Sequence, residues 1–210
     1  WTSFQVVNKL RWAIRKHFNF KKIKVGHAGT LDPLATGLLI IRTGKFTKQI
    51  SDYQAQEKTY TGTFTLGATT PSYDLETEID QTFSTAHLTE KSLHNATQRF
   101  IGVIDQKPPL FSAIKKEGKR LYDIARAGET IEIETRKVEI TSFELTKINL
   151  PQVDFKIVCS KETYIRSLAY DFGLALESGA HLSALRRTKI GDFSVENATS
   201  NEAFRATLKS

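Results

Sequence analysis

The chain has 210 residues, 40% of them hydrophobic and 25% charged, enough apolar content to bury one large domain or two small ones and too much for a disordered chain. Thirty Lys and Arg against twenty-three Asp and Glu give a formal charge of +7, which points to a polyanionic partner such as nucleic acid or an anionic membrane surface. A single cysteine, Cys159, excludes a disulfide framework and favours a reducing compartment. No apolar run approaches the ~20 residues of a membrane span and no signal-like segment opens the chain, so a cytoplasmic protein is expected. The chain begins at Trp1 and holds no Met, which implies a natural N-terminus upstream.

In chain order, "SFQVVNKLRWAIRKHF" predicts an amphipathic helix capped by Ser3, with Val7, Leu10 and Ile14 on one stripe and Lys9, Arg11, Arg15 and Lys16 on other faces. A glycine-rich loop follows, "GHAGTLDPLATG", from Gly26 to Gly37, and then "LLIIRTG", an apolar run suited to a buried strand. In "KTYTGTFTLGA" the alternation places Tyr60, Phe64 and Leu66 on one face and Thr59, Thr61, Thr63 and Thr65 on the other, the period of a strand. "SYDLETEID" is polar and acidic; "TEKSLHNATQRFIG" predicts a helix with Leu93, Ala96 and Phe100 inward and Gly102 as its stop.

After Pro108-Pro109, "LFSAIKKEGKRLYDIARAGE" predicts a short strand, a turn at Glu117-Gly118 and a helix ending near Gly128. "TIEIETRKVEITSFEL" and "VDFKIVCS" read as strands, and "TYIRSLAYDFGLALESG" as a helix capped by Thr163 and closed by Gly179. "LSALRRTKIGDFSV" returns to strand. Hairpin-like and helix-separated strands together predict an α+β fold with a mixed sheet.

Several chemistries lack their residues. None of the five His falls in an HExxH pattern, no thiolate cluster is possible, and neither a Walker A ending nor a GxSxG elbow occurs. What remains is a carboxylate in an unusual setting. Pro33 keeps Asp32 out of the helical region, and Gly26, Gly29 and Gly37 permit backbone paths closed to other residues. Two plainer readings stand beside catalysis: Asp-Pro as turn chemistry alone, and Gly26-His27-Ala28-Gly29 as a GXXG loop that clamps RNA backbone.

The whole string "GHAGTLDPLATGLL" closely resembles the catalytic motif of the TruB-type tRNA pseudouridine synthases. The resemblance continues in order through "TSFQVVNKLR", "EKTYTGTFTLGATT", "PPLFSAIKKEGKRLYDIARAG", "CSKETYIRSLAYDFG" and "GAHLSALRRTKIGDF", from about Thr2 to Phe193. It implies a pseudouridine synthase fold, a mainly antiparallel central sheet flanked by helices, over residues 1–210 as one catalytic domain. It also implies a basic thumb-like insertion, about 110–137, that closes over RNA with Lys115, Lys116, Lys119 and Arg120 among its contacts. The C-terminal RNA-binding domain of many members is expected to be absent or reduced to "NEAFRATLKS".

By resemblance, the activity is isomerisation of the uridine at position 55 in the T loop of tRNA, with no cofactor and no metal. Asp32 is then the nucleophile, Arg166 the cation paired with it, and Tyr60 the ring that stacks on the flipped uracil and takes the C5 proton. Tyr164 and Leu185 line the same pocket, and His27 replaces stacking lost when bases flip out. The expected partner is the T-arm stem-loop of tRNA, bound by a monomer. Glu162 departs from the family pattern, where glycine is usual, and stands four residues before Arg166 as a competitor for it. The alternatives are a noncatalytic RNA-binding or RNA-folding protein, which has no need of Asp32, Tyr60 and Arg166 together, and a guide-RNA-dependent synthase of the archaeal and eukaryotic branch.

Overall fold

A computed structural model of the chain describes residues 1–112, 114–116, 119–128 and 131–208, and at 115, 116, 119, 120, 125 and 126 it describes the backbone alone. The turn expected at Glu117-Gly118 lies outside the described residues. The chain divides into two compact units, Trp1–Thr59 with Arg186–Ser210, and Tyr60–Leu185.

The first unit opens with α1 (Ser3–Phe18), β1 (Val25–His27), β2 (Thr36–Gly37), β3 (Ile41–Thr43), a 3-10 turn (Gly44–Gln49) and α2 (Ile50–Ala55). The chain then runs through β4 (Lys58–Leu66), β5 (Ala68–Thr69), β6 (Gln81–Thr82), α3 (Glu90–Gln98), β7 (Gly102–Gln106), β8 (Lys115–Lys116), β9 (Lys119–Arg120) and α4 (Leu121–Arg126). It closes with β10 (Arg136–Asn149), β11 (Gln152–Cys159), α5 (Ile165–Ala175), β12 (Ala180–Ile190), β13 (Phe193–Ser194) and α6 (Asn201–Thr207). The main sheet has the order β13-β12-β4-β11-β10-β7, with the two-residue β2 parallel to β12 at the side. The pairs β10–β11, β10–β7 and β12–β13 are all antiparallel, which is the α+β arrangement expected.

The period-two pattern of β4 explains the core of the second unit. Phe64 and Leu66 are buried and Tyr60 packs against the same cluster, where the Phe64 ring lies 4.3 Å from Phe155 and 5.8 Å from Phe172. The threonines of the opposite face find polar partners instead: Thr63 Oγ1 donates to Asp154 Oδ1 at 2.7 Å and Thr65 Oγ1 to Ser183 Oγ at 2.9 Å. Leu93 and Ala96 of α3 are buried as expected, with Phe100 packed beside them. In the first unit, Val7, Leu10, Ala13 and Ile14 form the buried stripe of α1, and Ala28, Leu38, Ile40 and Ile190 form a second apolar cluster.

Four local readings are corrected. The cap of α1 is Thr2, not Ser3, because Thr2 and Gln5 satisfy each other's backbone N–H in a capping box. The run "LLIIRTG" becomes strand only at Ile41, since the Leu38 N–H and the Ile40 carbonyl bond to Arg187 O and Ala28 N within a loop. In "TIEIETRKVEI" the strand begins at Arg136. The cap of α5 is Tyr164 and the helix ends at Ala175, while Thr163 Oγ1 donates to the Ser160 carbonyl at 2.9 Å.

Among the described residues no helix is long and apolar enough to cross a membrane.

Candidate active site

The antiparallel pairing of β1 with β3 sets His27 opposite Ile41, so residues 28–40 leave that ladder as one long excursion with the two-residue β2 inside it. Within it the Ala35 N–H donates to the Asp32 carbonyl at 2.9 Å, closing a turn with Asp32 first and Pro33 second, the positions where those residues are favoured. Asp32 is half-buried. The Leu31 N–H is held by Ser3 Oγ of α1 at 3.0 Å.

Arg187, the eighth residue of β12, is 2% exposed and does most to hold this loop. Its Nε donates to the Leu38 carbonyl at 2.9 Å, Nη2 to Gly29 at 2.9 Å and Nη1 to Thr30 at 3.4 Å. One guanidinium thus satisfies carbonyls on both arms of the loop, a use that its planar fork of five donors permits. Burial, and then the Arg187 charge, push the His27 imidazole below its ordinary value, against an opposing hydrogen bond with the Gly29 backbone. His27 is therefore a neutral ring at pH 7.

In the second unit, Arg166 lies in the first turn of α5 and is 3% exposed. Its Nε stands 3.7 Å from Asp74 Oδ2, and Nη1 donates to the carbonyls of Phe111 at 2.9 Å and Ser72 at 3.3 Å. Asp74 is 4% exposed and also accepts from Ser72 Oγ at 2.6 Å and the Glu76 N–H at 3.0 Å. Tyr164 begins α5, with the Arg136 guanidinium 5.3 Å from its ring centroid. Glu162 pairs with Arg136 at 3.6 Å, and its φ of 64° is the left-handed conformation in which the family's glycine would be at ease. The expected competition with Arg166 is corrected accordingly: Glu162 is engaged by Arg136.

The antiparallel pairing of β8 and β9 sets Lys115 opposite Arg120 and Lys116 opposite Lys119, so the backbone brings these four predicted residues onto one hairpin; their side chains lie outside the described residues. The following helix α4 is tied back by Tyr122, whose hydroxyl donates to Glu76 Oε1 at 2.6 Å.

The predicted site residues thus divide, with His27 and Asp32 in the first unit and Tyr60, Tyr164, Arg166 and Leu185 in the second, where Tyr60 and Leu185 pack on the main core. Sequence reasoning missed Arg187, Asp74 and Gln106. A signal existed for Arg187, whose alternation in "ALRRTKI" puts it on the same side of the strand as Leu185, and for Asp74, which stands in a segment read only as acidic. Among the described residues no group of three or more His, Cys, Asp or Glu is placed to hold a metal ion.

Comparison with known proteins identifies the family. Residues 15–165 match the family model described as TruB family pseudouridylate synthase (N terminal domain), and residues 166–209 that described as tRNA pseudouridylate synthase B C-terminal domain. A protein of Flavobacterium johnsoniae named tRNA pseudouridine synthase B is 64% identical over 210 residues, all of this chain and 92% of that protein. One of the same name from Phocaeicola vulgatus is 56% identical over 97% of this chain and 87% of its own length. Among solved structures, one titled as a Cbf5-Nop10-Gar1 complex superposes with a TM-score of 0.66 at 30% identity, over 92% of this chain; the chain spans only 46% of that longer one. With its fold, its loop and its sequence all in agreement, the chain belongs to the TruB family of pseudouridylate synthases.

Proposed function

We propose that the protein isomerises uridine to pseudouridine in the T loop of tRNA, at position 55, as a cytoplasmic monomer. The observation that carries this reading is the pinned loop. Pro33 at the second position of the Asp32 turn, and Arg187 on the Gly29, Thr30 and Leu38 carbonyls, hold one carboxylate-bearing turn in place. Preorganised carboxylates suit covalent catalysis, which loses rate steeply when the attacking group is misplaced.

The reaction breaks the N1–C1′ glycosidic bond, turns the uracil and forms C5–C1′; the C5 proton leaves to a base and N1 ends protonated. It is balanced without an oxidant, a reductant or an energy donor, so side chains suffice. In this reading Asp32 is the nucleophile, Tyr60 stacks on the uracil and receives the C5 proton, and Arg166 supplies the guanidinium of the catalytic set. Tyr164 and Leu185 bound the uracil pocket, and the neutral ring of His27 takes the place of an extruded base in the stack. The β8–β9 hairpin grips phosphate, where Lys and Arg release counterions and confer salt dependence. The 64% identity to a named tRNA pseudouridine synthase B over 92% of its length favours this reading over a guide-RNA-dependent enzyme.

The test is tritium release from a T-arm stem-loop labelled at uracil C5. The protein should release tritium and Asp32→Asn should not; no release from the unaltered protein would refute the reading, and full release from Asp32→Asn would refute the role of Asp32.

A further inference from the structure

Gln106 closes β7, is 0% exposed, and sends its whole amide to one residue. Its Oε1 accepts from the Tyr164 N–H at 2.8 Å and its Nε2 donates to the Tyr164 carbonyl at 3.0 Å. The side chain therefore imitates one rung of an antiparallel ladder, 58 residues away in sequence. Tyr164 is the extended residue from which α5 starts, and α5 has no side-chain cap of its own. Its entry is fixed instead by Gln106, two residues before the guanidinium of Arg166.

The next residues repeat the attachment. Ser167 Oγ donates to the Lys107 carbonyl at 2.7 Å, and Arg166 Nη1 to the Phe111 carbonyl at 2.9 Å. The stretch "QKPPLF" is thus a strap laid along the first turn of α5, bonded to Tyr164, Ser167 and Arg166 in turn, and it leads directly into the basic hairpin. Burying a primary amide is costly unless both its donor and its acceptor are satisfied. An apolar residue would fill the same volume without that cost, so the amide is accounted for by the backbone it holds.

We infer that Gln106 is a positioning residue: by clamping the Tyr164 backbone it sets the direction of α5 and with it the placement of the Tyr164 ring and the Arg166 guanidinium during uridine isomerisation. Ser167, through Lys107, is the second fastening of the same strap. The inference rests on the proposed isomerase activity.

The experiment compares the unaltered protein, Gln106→Met, which keeps the volume and removes both bonds, and Ser167→Ala, which removes only the second fastening. Single-turnover tritium release is measured with enzyme in excess, so that the unfolded fraction does not scale the rate constant, and half-saturation by the T-arm stem-loop is read from the same series. Gln106→Met should lower the rate constant about tenfold to a hundredfold with half-saturation within about twofold, and Ser167→Ala should lower it less, in the same manner. Unchanged rate constants in both variants would overturn the inference, as would a loss confined to half-saturation. If Gln106→Met does not fold, Ser167→Ala decides by the same split. No release from the unaltered protein would overturn the isomerase reading, and the inference with it, and is told apart from the other outcomes because no variant need be examined.

Discussion

The Arg187 guanidinium and the Gly29 carbonyl meet at 2.9 Å, across 158 positions of sequence, and that bond closes one arm of the loop that carries Asp32. Arg187→Met keeps much of the buried volume but leaves the carbonyls of Gly29, Thr30 and Leu38 without this donor. The expected outcome is a fall in the rate constant for tritium release together with a rise in the His27 pKa, since the smaller of the two causes that lower it is gone and burial alone still opposes the Gly29 hydrogen bond. NMR titration of the His27 ring in the variant checks the second part; an unmoved midpoint would show that Arg187 does not act on that ring.

Glycine at position 37 is required for two reasons at once. Its φ is 106°, and a Cβ there would stand 2.2 Å from the Arg187 carbonyl oxygen, an overlap with backbone that no side-chain movement can relieve. Gly44 also has a positive φ, 56°, yet a Cβ there meets nothing within 4 Å. Gly44→Ala should cost about 1 kcal/mol, the conformational penalty alone, and Gly37→Ala several times as much. Urea unfolding of the two variants measures the difference directly.

Asp74 and Arg166 form a buried ion pair, and truncating Asp74 withdraws that carboxylate from the guanidinium. Asp74→Ala should lose about 3 kcal/mol of stability, because a buried pair is broken from one side and Ser72 Oγ and the Glu76 N–H lose the same acceptor. Activity should fall more than binding of the T-arm stem-loop, since the guanidinium loses one of the groups that aim it. Parallel denaturation and single-turnover measurements separate the two effects.

Asp171 of α5 carries a carboxyl that burial raises from 3.8 to about 6. The folded protein therefore keeps a proton that the unfolded chain has already lost, and stability falls as pH rises between those values. Asp171→Asn removes the charge without its cost. Its melting temperature should exceed that of the unaltered protein by a few degrees at pH 7 to 8, about the shift for 1 kcal/mol in a domain of this size, with the gain vanishing near pH 4. Melting curves across that range decide it, and a gain that persists at pH 4 would sink the explanation.

What the sequence determined by itself was local. Pro33 at a turn, the alternation of Tyr60, Phe64 and Leu66 in β4, the stripe of α1 and the buried side of α3 all follow from dihedral restriction and side-chain period, which act within a few residues. The string from Gly26 to Gly37 also carried the family resemblance, and with it the roles proposed for Asp32 and its companions. Even at this level the choice between Thr2 and Ser3 depended on which hydroxyl had a competing partner, Ser3 Oγ being taken by the Leu31 N–H. Tertiary structure alone decided what holds the site: Arg187 on the Gly29 loop, Asp74 on Arg166, Gln106 on Tyr164. Their partners come from distant segments, and a buried donor or acceptor takes whichever complement the fold brings within about 3 Å, a proximity that no local pattern in the chain encodes.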